Sequence, residues 1–267
     1  MLTLRICRLA LALSALLCTS VSAQTKVHFT SPLPTGVRLD PAGEAVDLGS
    51  LPISLTLAPE KGKAVVVLSG WREQGVQVVD LKTRKVTQKL LQDSAFYGAA
   101  FSPDGHRLCV SGGNTDMLFV YVWKDGAATI ENKFELAKAK TGDGTGTSYP
   151  AGLAFSPNGK FVYVAEDVGD RLAVVNVATG EIVQRFSTDH YPYGVALTAN
   201  GQVFVSAWGA STVSQFHTLT DGSLTYVGRI EVGRHPSALA VKGTQLYVTL
   251  AGSDRVAIVD TKVRRRA

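Results

Sequence analysis

The chain repeats itself. The segments VVVLSG (65–70), LCVSGG (108–113), VYVAED (162–167), VFVSAW (203–208) and LYVTLA (246–251) are versions of one strand. Their third residues, Val67, Val110, Val164, Val205 and Val248, lie 43, 54, 41 and 43 apart, a period near 42 with one insertion. Ahead of each comes a shorter apolar run closed by an Asp-Gly, Asn-Gly or Lys-Gly turn, which reads as a hairpin. After each comes a third run of β-branched residues, such as LAVVNVATG at 172–180, and then a fourth strand. No stretch beyond the N-terminus holds a helical period. Four short strands recurring every 40–45 residues or so make a β-propeller blade, which cannot bury both faces of its sheet without neighbours. A β-sandwich would not keep Pro-x-(Gly/Ala) and Tyr-Val in register. The expected fold is all-β: a propeller of four-stranded antiparallel blades, with about five repeats starting near residues 51, 95, 149, 191 and 235.

The repeat does not reach the N-terminus. Arg5 and Arg8, the apolar run Leu9–Leu17, and Val21-Ser22-Ala23 before Gln24 read as a cleavable export signal over residues 1–23. Leu17 sits where lipoprotein processing wants a small residue, so Cys18 is not expected to carry lipid. Residues 24–34 then read as a linker and 35–267 as the propeller. Removing the signal takes away two arginines and no acid, so the formal charge falls from +5 to +3. Three of those positives are Arg264, Arg265 and Arg266, leaving no interior basic cluster for nucleic acid. Cys7 and Cys18 go with the signal. Cys109 remains alone inside a strand, so the fold rests on its core rather than on a disulfide. No other stretch approaches the length of a membrane helix.

The repeat residues carry a resemblance. Val232-Gly233-Arg234-His235-Pro236-Ser237-Ala238, Tyr247-Val248-Thr249 and Val259-Asp260-Thr261 are similar to the motifs of the YVTN-repeat (YncE-like) propellers, over roughly residues 35–263. Leu39-Asp40-Pro41-Ala42-Gly43, Pro150-Ala151-Gly152-Leu153 and Ser206-Ala207-Trp208-Gly209 look like a bacterial subset in which the propeller precedes an alkaline-phosphatase-like phosphoesterase domain. That resemblance implies seven blades and a possible phosphoesterase partner, fused or separate, whose metal-binding half is not in these residues. By phase, Val37–Gly43 reads as a third (C) strand, Glu44–Leu48 as a fourth (D) strand, and Val256–Asp260 as a C strand again. The expected ring is therefore incomplete, truncated at the C-terminus, with Val263–Arg266 beginning a D strand.

Strand order separates two faces. The A-to-B and C-to-D turns, such as Ser102-Pro103-Asp104-Gly105, are ordinary turn chemistry. The D-to-A and B-to-C loops gather Phe96, Tyr97, Tyr149, Tyr191, Tyr193, His190 and His235 with Trp71, Arg72, Asn114, Asp116, Glu166, Asp167, Asp170 and Trp208. Aromatics around an axial opening point to a ligand or partner surface, with Trp71, Tyr97, Tyr193, Trp208, His190, His235 and Asp167 as its candidates. Packing against the next blade is the stronger reading for Tyr149 and Tyr191, and Trp71 and Trp208 divide between the two. By composition, the insertion Lys138–Ser148 is a flexible flap above this face.

Catalytic signatures are absent. Gly142-Asp143-Gly144-Thr145-Gly146 has no strand before it and no helix after it, so it is no phosphate loop. The five histidines form no HExxH, and no Gly-x-Ser-x-Gly occurs. No catalytic residue, metal or other cofactor is assigned. The sequence reading is an exported, non-catalytic binding or scaffold module for an unidentified protein or small molecule. Two rivals stand beside it. One is a lactonase-like hydrolase using Glu166, Asp167, His190 or His235. The other is single-strand nucleic-acid binding, which lacks the expected basic groove.

Overall fold

A computed structural model describes residues 35–36, 45–138, 140–144 and 146–262. The expected signal, the linker, the C-phase strand at Val37–Gly43 and the tail Val263–Ala267 lie outside the described residues. Two compact units divide the chain, Met1–Ala45 and Val46–Ala267. Every structural feature below belongs to the second.

That unit is a propeller of five blades. Blade one is β1 (Pro52–Leu57), β2 (Lys63–Ser69), β3 (Gln74–Asp80) and β4 (Lys85–Leu91). Blade two is β5 (Ala99–Phe101), β6 (Arg107–Ser111), β7 (Met117–Lys124) and β8 (Ala127–Glu135). Blade three is β9 (Pro150–Phe155), β10 (Phe161–Glu166), β11 (Arg171–Asn176) and β12 (Ile182–Ser187). Blade four is β13 (Pro192–Leu197), β14 (Gln202–Ala207), β15 (Thr212–Thr218) and β16 (Leu224–Glu231), and blade five is β17 (Pro236–Lys242), β18 (Gln245–Leu250) and β19 (Arg255–Asp260). Strands pair antiparallel in chain order, four to a sheet in the first four blades and three in the fifth. Among the described residues the helical element is one short 3-10 turn, Gly113–Thr115.

Period-two alternation explains the stacking. In each second strand, neighbouring side chains leave the sheet on opposite faces and enter different interfaces. Val65 and Val67 meet Leu108 and Val110 between blades one and two, while Cys109 meets Val162 and Val164 between blades two and three. Tyr163 and Ala165 meet Val203 and Val205, and Phe204 meets Leu246 and Val248. These B strands read as unbroken apolar runs because both faces are covered. Each fully buried Val or Leu contributes about 1.5–3 kcal/mol.

Close approach explains the Pro-x-Gly motif. A Cβ on Gly98 would overlap the carbonyl oxygen of Ala151, and one on Gly152 that of Tyr193. The innermost strands of neighbouring blades thus pass backbone to backbone at these glycines.

One expectation fails. Residues 46–48, read as part of a D strand, form none. Val46 and Leu48 instead pack on Val66, Leu68, Val79 and Val86, covering the face of blade one that turns away from blade two. Alternating apolar residues satisfy a sheet face equally well from an irregular segment.

Candidate functional site

A repeated backbone corner builds the axial face. In four blades the residue before the lead-in proline has positive φ: Leu51 at 49°, Tyr149 at 52°, Tyr191 at 55° and His235 at 53°. Proline disfavours the right-handed helical region for the residue preceding it. The left-handed corner is further held because the residue's carbonyl accepts an N–H from the end of the second strand. Asp167 donates to Tyr149 at 3.0 Å, Trp208 to Tyr191 at 2.8 Å and Ala251 to His235 at 3.0 Å. The corner therefore places an aromatic or histidine beside the loop that carries Asp167 or Trp208. Blade two has no such proline, and its positive φ falls on Tyr97 (48°) instead.

The shifted corner brings Tyr97 to Tyr193, with ring centroids 4.4 Å apart. Phe96 joins them, edge-on to Tyr193 at 5.8 Å and to Tyr149 at 5.2 Å. A second row runs through blades four and five: His190 on Tyr191 at 3.8 Å, Tyr191 to Trp208 at 6.4 Å, and Trp208 to His235 at 5.0 Å. His235 Nδ1 lies 2.7 Å from the Trp208 carbonyl oxygen. That oxygen can only accept, so Nδ1 carries the proton and Nε2 is left as an acceptor. Beneath the tyrosine pair lies an axial cavity of about 140 Å³, lined by inner-strand residues from all five blades, from Ser54 and Leu55 to Leu239. Six of the seven candidates thus join these groups: Tyr97, which lines the cavity, with Tyr193 stacked on it and the charge of Asp167 acting on Tyr193, and His190, Trp208 and His235 in the second row. Trp71 does not: it is fully exposed and shares none of the ring contacts.

Three of the four acids here are committed to architecture. Glu166, fully buried, is held by Arg171 at 2.9 Å, Arg185 at 3.0 Å and the Ser148 hydroxyl at 2.8 Å. Asp116, also fully buried, accepts the backbone N–H groups of Thr147, Ser148 and Tyr149 at 2.8–2.9 Å and pairs with Lys140 at 2.9 Å. The insertion expected to be a loose flap is therefore pinned at its base, with a Lys140–Gly146 bridge above it. Asp170 pairs with His190 Nδ1 at 2.8 Å and accepts the Tyr191 N–H at 2.9 Å.

Asp167 is the exception. No hydrogen bond to its carboxylate occurs among the described residues. Burial, reinforced by the charge of Asp170 and partly offset by His190, pushes it up to about 6. Burial, with the neighbouring Tyr97 and Asp167, pushes Tyr193 up to about 12, and burial raises Tyr97 as well. An unpaired carboxyl poised near neutrality, with the Tyr193 and Tyr149 phenols close enough to feel its charge, is equipped for proton transfer. No group of three or more metal-ligating side chains occurs among the described residues.

A family model described as "Lactonase, 7-bladed beta-propeller" matches residues 64–265. The chain belongs to the seven-bladed β-propeller lactonase family. The match names the lactonase propellers and not the YVTN-repeat group whose motifs the sequence resembles. Within the lactonase family's named relatives, a 6-phosphogluconolactonase of Yersinia pestis is 24% identical over 113 residues, which is 40% of this chain and 34% of that protein. The match thus spans about a third of that relative's length. The periplasmic gluconolactonase of Pseudomonas aeruginosa superposes with a TM-score of 0.61 at 20% identity, over 78% of this chain and 65% of that one. A virginiamycin B lyase of Staphylococcus aureus does so at 0.58 and 16%, over 79% and 70%. At these identities the likeness is one of fold.

Sequence reasoning named Asp167, Glu166, His190 and His235 together as hydrolase candidates. It did not separate Asp167 from Glu166, because Glu166 is neutralised by Arg185, whose other contact is the Leu136 carbonyl of blade two. The pairing of Asp170 with His190 was likewise missed, although the twenty-residue offset between a B-to-C loop and the next blade's start was the available signal.

Proposed function

We propose that the chain hydrolyses lactones, the cyclic esters of hydroxy acids, in the axial cup with Asp167 as general base. The observation that carries this reading is the unpaired carboxyl of Asp167, raised to about 6 in a cup where every other acid is already bound. Ionised Asp167 would take a proton from water as the water oxygen bonds to the lactone carbonyl carbon. The protonated phenols of Tyr97 and Tyr193 would donate to the oxyanion. Collapse breaks the ring C–O bond, and protonated Asp167 returns its proton to the leaving alkoxide, giving the open hydroxy acid. Family membership and the lactonase names of the relatives support the reading.

A non-catalytic binding module is the second reading, favoured by the stacked row His190, Tyr191, Trp208 and His235. To the same proposal belong export directed by residues 1–23 and the YVTN-type likeness with its phosphoesterase partner.

The test is hydrolysis of glucono-δ-lactone at pH 7, followed by acid release against the spontaneous rate. Saturable acceleration, reduced about a hundredfold or more in Asp167→Asn, is expected. A folded chain without acceleration, whose Trp208 fluorescence still titrates with the lactone, would transfer the site to the binding reading.

A further inference from the structure

A second concavity, of about 460 Å³, opens on the outer rim between β4 of blade one and β8 of blade two. Phe119, Tyr121, Leu90, Ala128 and Ile130 line it, with the Lys133 ammonium over the Phe119 ring. The protein contains its own control for this groove, because the junction of blades three and four is built the same way. Gln88 bridges the outer strands by giving and taking hydrogen bonds with the Ala128 backbone, both at 2.8 Å. Gln184 does the same with Leu224, at 3.1 and 2.8 Å.

Strand register then equates the two junctions residue by residue. Val78 faces Gln88 as Val174 faces Gln184, and Tyr121 faces Ile130 as Phe216 faces Tyr226. Where blades three and four carry Phe186, Tyr226 and Leu224, blades one and two carry Leu90, Ile130 and Ala128. The larger set packs ring on ring, Phe186 to Phe216 at 5.3 Å and Phe216 to Tyr226 at 5.4 Å. The smaller set leaves the groove. The cations differ in the same sense. At the filled junction Arg229 is tied to Asp189 at 2.8 Å. Its counterpart is freer: Lys133, without an acidic partner among the described residues, lies over the Phe119 ring at 5.5 Å.

We propose that this groove binds a free, single-chain amphiphile with an anionic head, a medium-chain carboxylate. The apolar floor takes the chain, and Lys133 takes the carboxylate. Its volume lies within the range of small-molecule sites. Counting a methylene as similar to a water molecule and packing at interior density, it holds a chain of about ten carbons. The site shares no residue with the axial cup.

The test is calorimetric titration of the full chain with sodium decanoate, decyltrimethylammonium and decanol, each below its micelle concentration. Decanoate is expected to bind best, and the cationic analogue not at all. The double change Leu90→Phe with Ile130→Tyr, which installs the residues of the other junction, should weaken decanoate at least tenfold with melting unchanged. Ala128→Leu is the alternative should that pair disturb folding. Lys133→Gln should weaken it by about fivefold at most, and Lys89→Gln, on the opposite face of β4, should leave it unchanged. Asp167→Asn should leave it unaltered. Equal binding of the cationic analogue, undiminished binding in the filled variants, or retention on anionic vesicles without binding of monomeric decanoate would overturn the proposal.

Discussion

Tyr97 of the second blade and Tyr193 of the fourth meet over the axial cavity, with ring centroids 4.4 Å apart and planes tilted by 39°. Blade three lies between them in sequence, so this pair ties the inner ends of alternate blades. The contact exists because blade two places its left-handed corner on Tyr97. Tyr193→Phe keeps the stacking and removes one phenol. It should therefore leave the melting temperature nearly unchanged while lowering kcat by about a hundredfold, the usual cost of losing one oxyanion donor. Tyr97→Ala should instead cost about 1 kcal/mol beyond its lost burial, read by denaturant unfolding.

Asp167 should destabilise the fold while serving it. Burial pushes its folded carboxyl up to about 6, well above the ordinary aspartate value of 3.8. Below about pH 3 it is protonated in both folded and unfolded chains and contributes almost nothing to their difference. As pH rises toward 6 the unfolded chain ionises first, and above 6 the full penalty of an ionised, half-buried carboxylate applies. Asp167→Asn should therefore raise stability by about 2 kcal/mol at pH 7 and by almost nothing at pH 3, while lowering hydrolysis about a hundredfold or more. Urea unfolding at the two pH values checks this.

Asp170 and His190 act on Asp167 in opposite directions. Asp170→Asn retains an acceptor for the Tyr191 N–H and removes the charge, so the acidic limb of the pH–rate profile should move down by roughly half a unit. His190→Ala should move the same limb up. Matching shifts in both variants would contradict the electrostatic account.

The Asp116 carboxylate holds the base of the insertion through three backbone N–H groups and Lys140. Asp116→Ala leaves those buried donors unmatched and should cost about 3 kcal/mol. Trypsin cleavage after Lys140 should accelerate before global unfolding does.

How far these features can be read from the chain alone follows from the range of the forces behind them. Blade starts, strand order and the turns are local: alternation in Val65–Leu68 and the glycines at 98 and 152 carry them. The roles of Glu166 and Asp167 are not local. The two are adjacent in sequence, yet Arg185, itself bound to blade two, claims only Glu166. Composition alone made Lys138–Ser148 look loose, since its anchor Asp116 precedes it by more than twenty residues. Trp71 and Trp208 occupy like loops, but only Trp208 has a following blade's histidine to stack on.

The most direct measurement is the pH dependence of kcat/KM for glucono-δ-lactone between pH 4.5 and 8. A single ionisation near pH 6, with activity rising as the group loses its proton and a catalysed rate at least about a hundredfold lower in Asp167→Asn, is predicted. A profile flat across that range, or a variant that hydrolyses the lactone as fast as the parent chain, would contradict the assignment of Asp167 as the base.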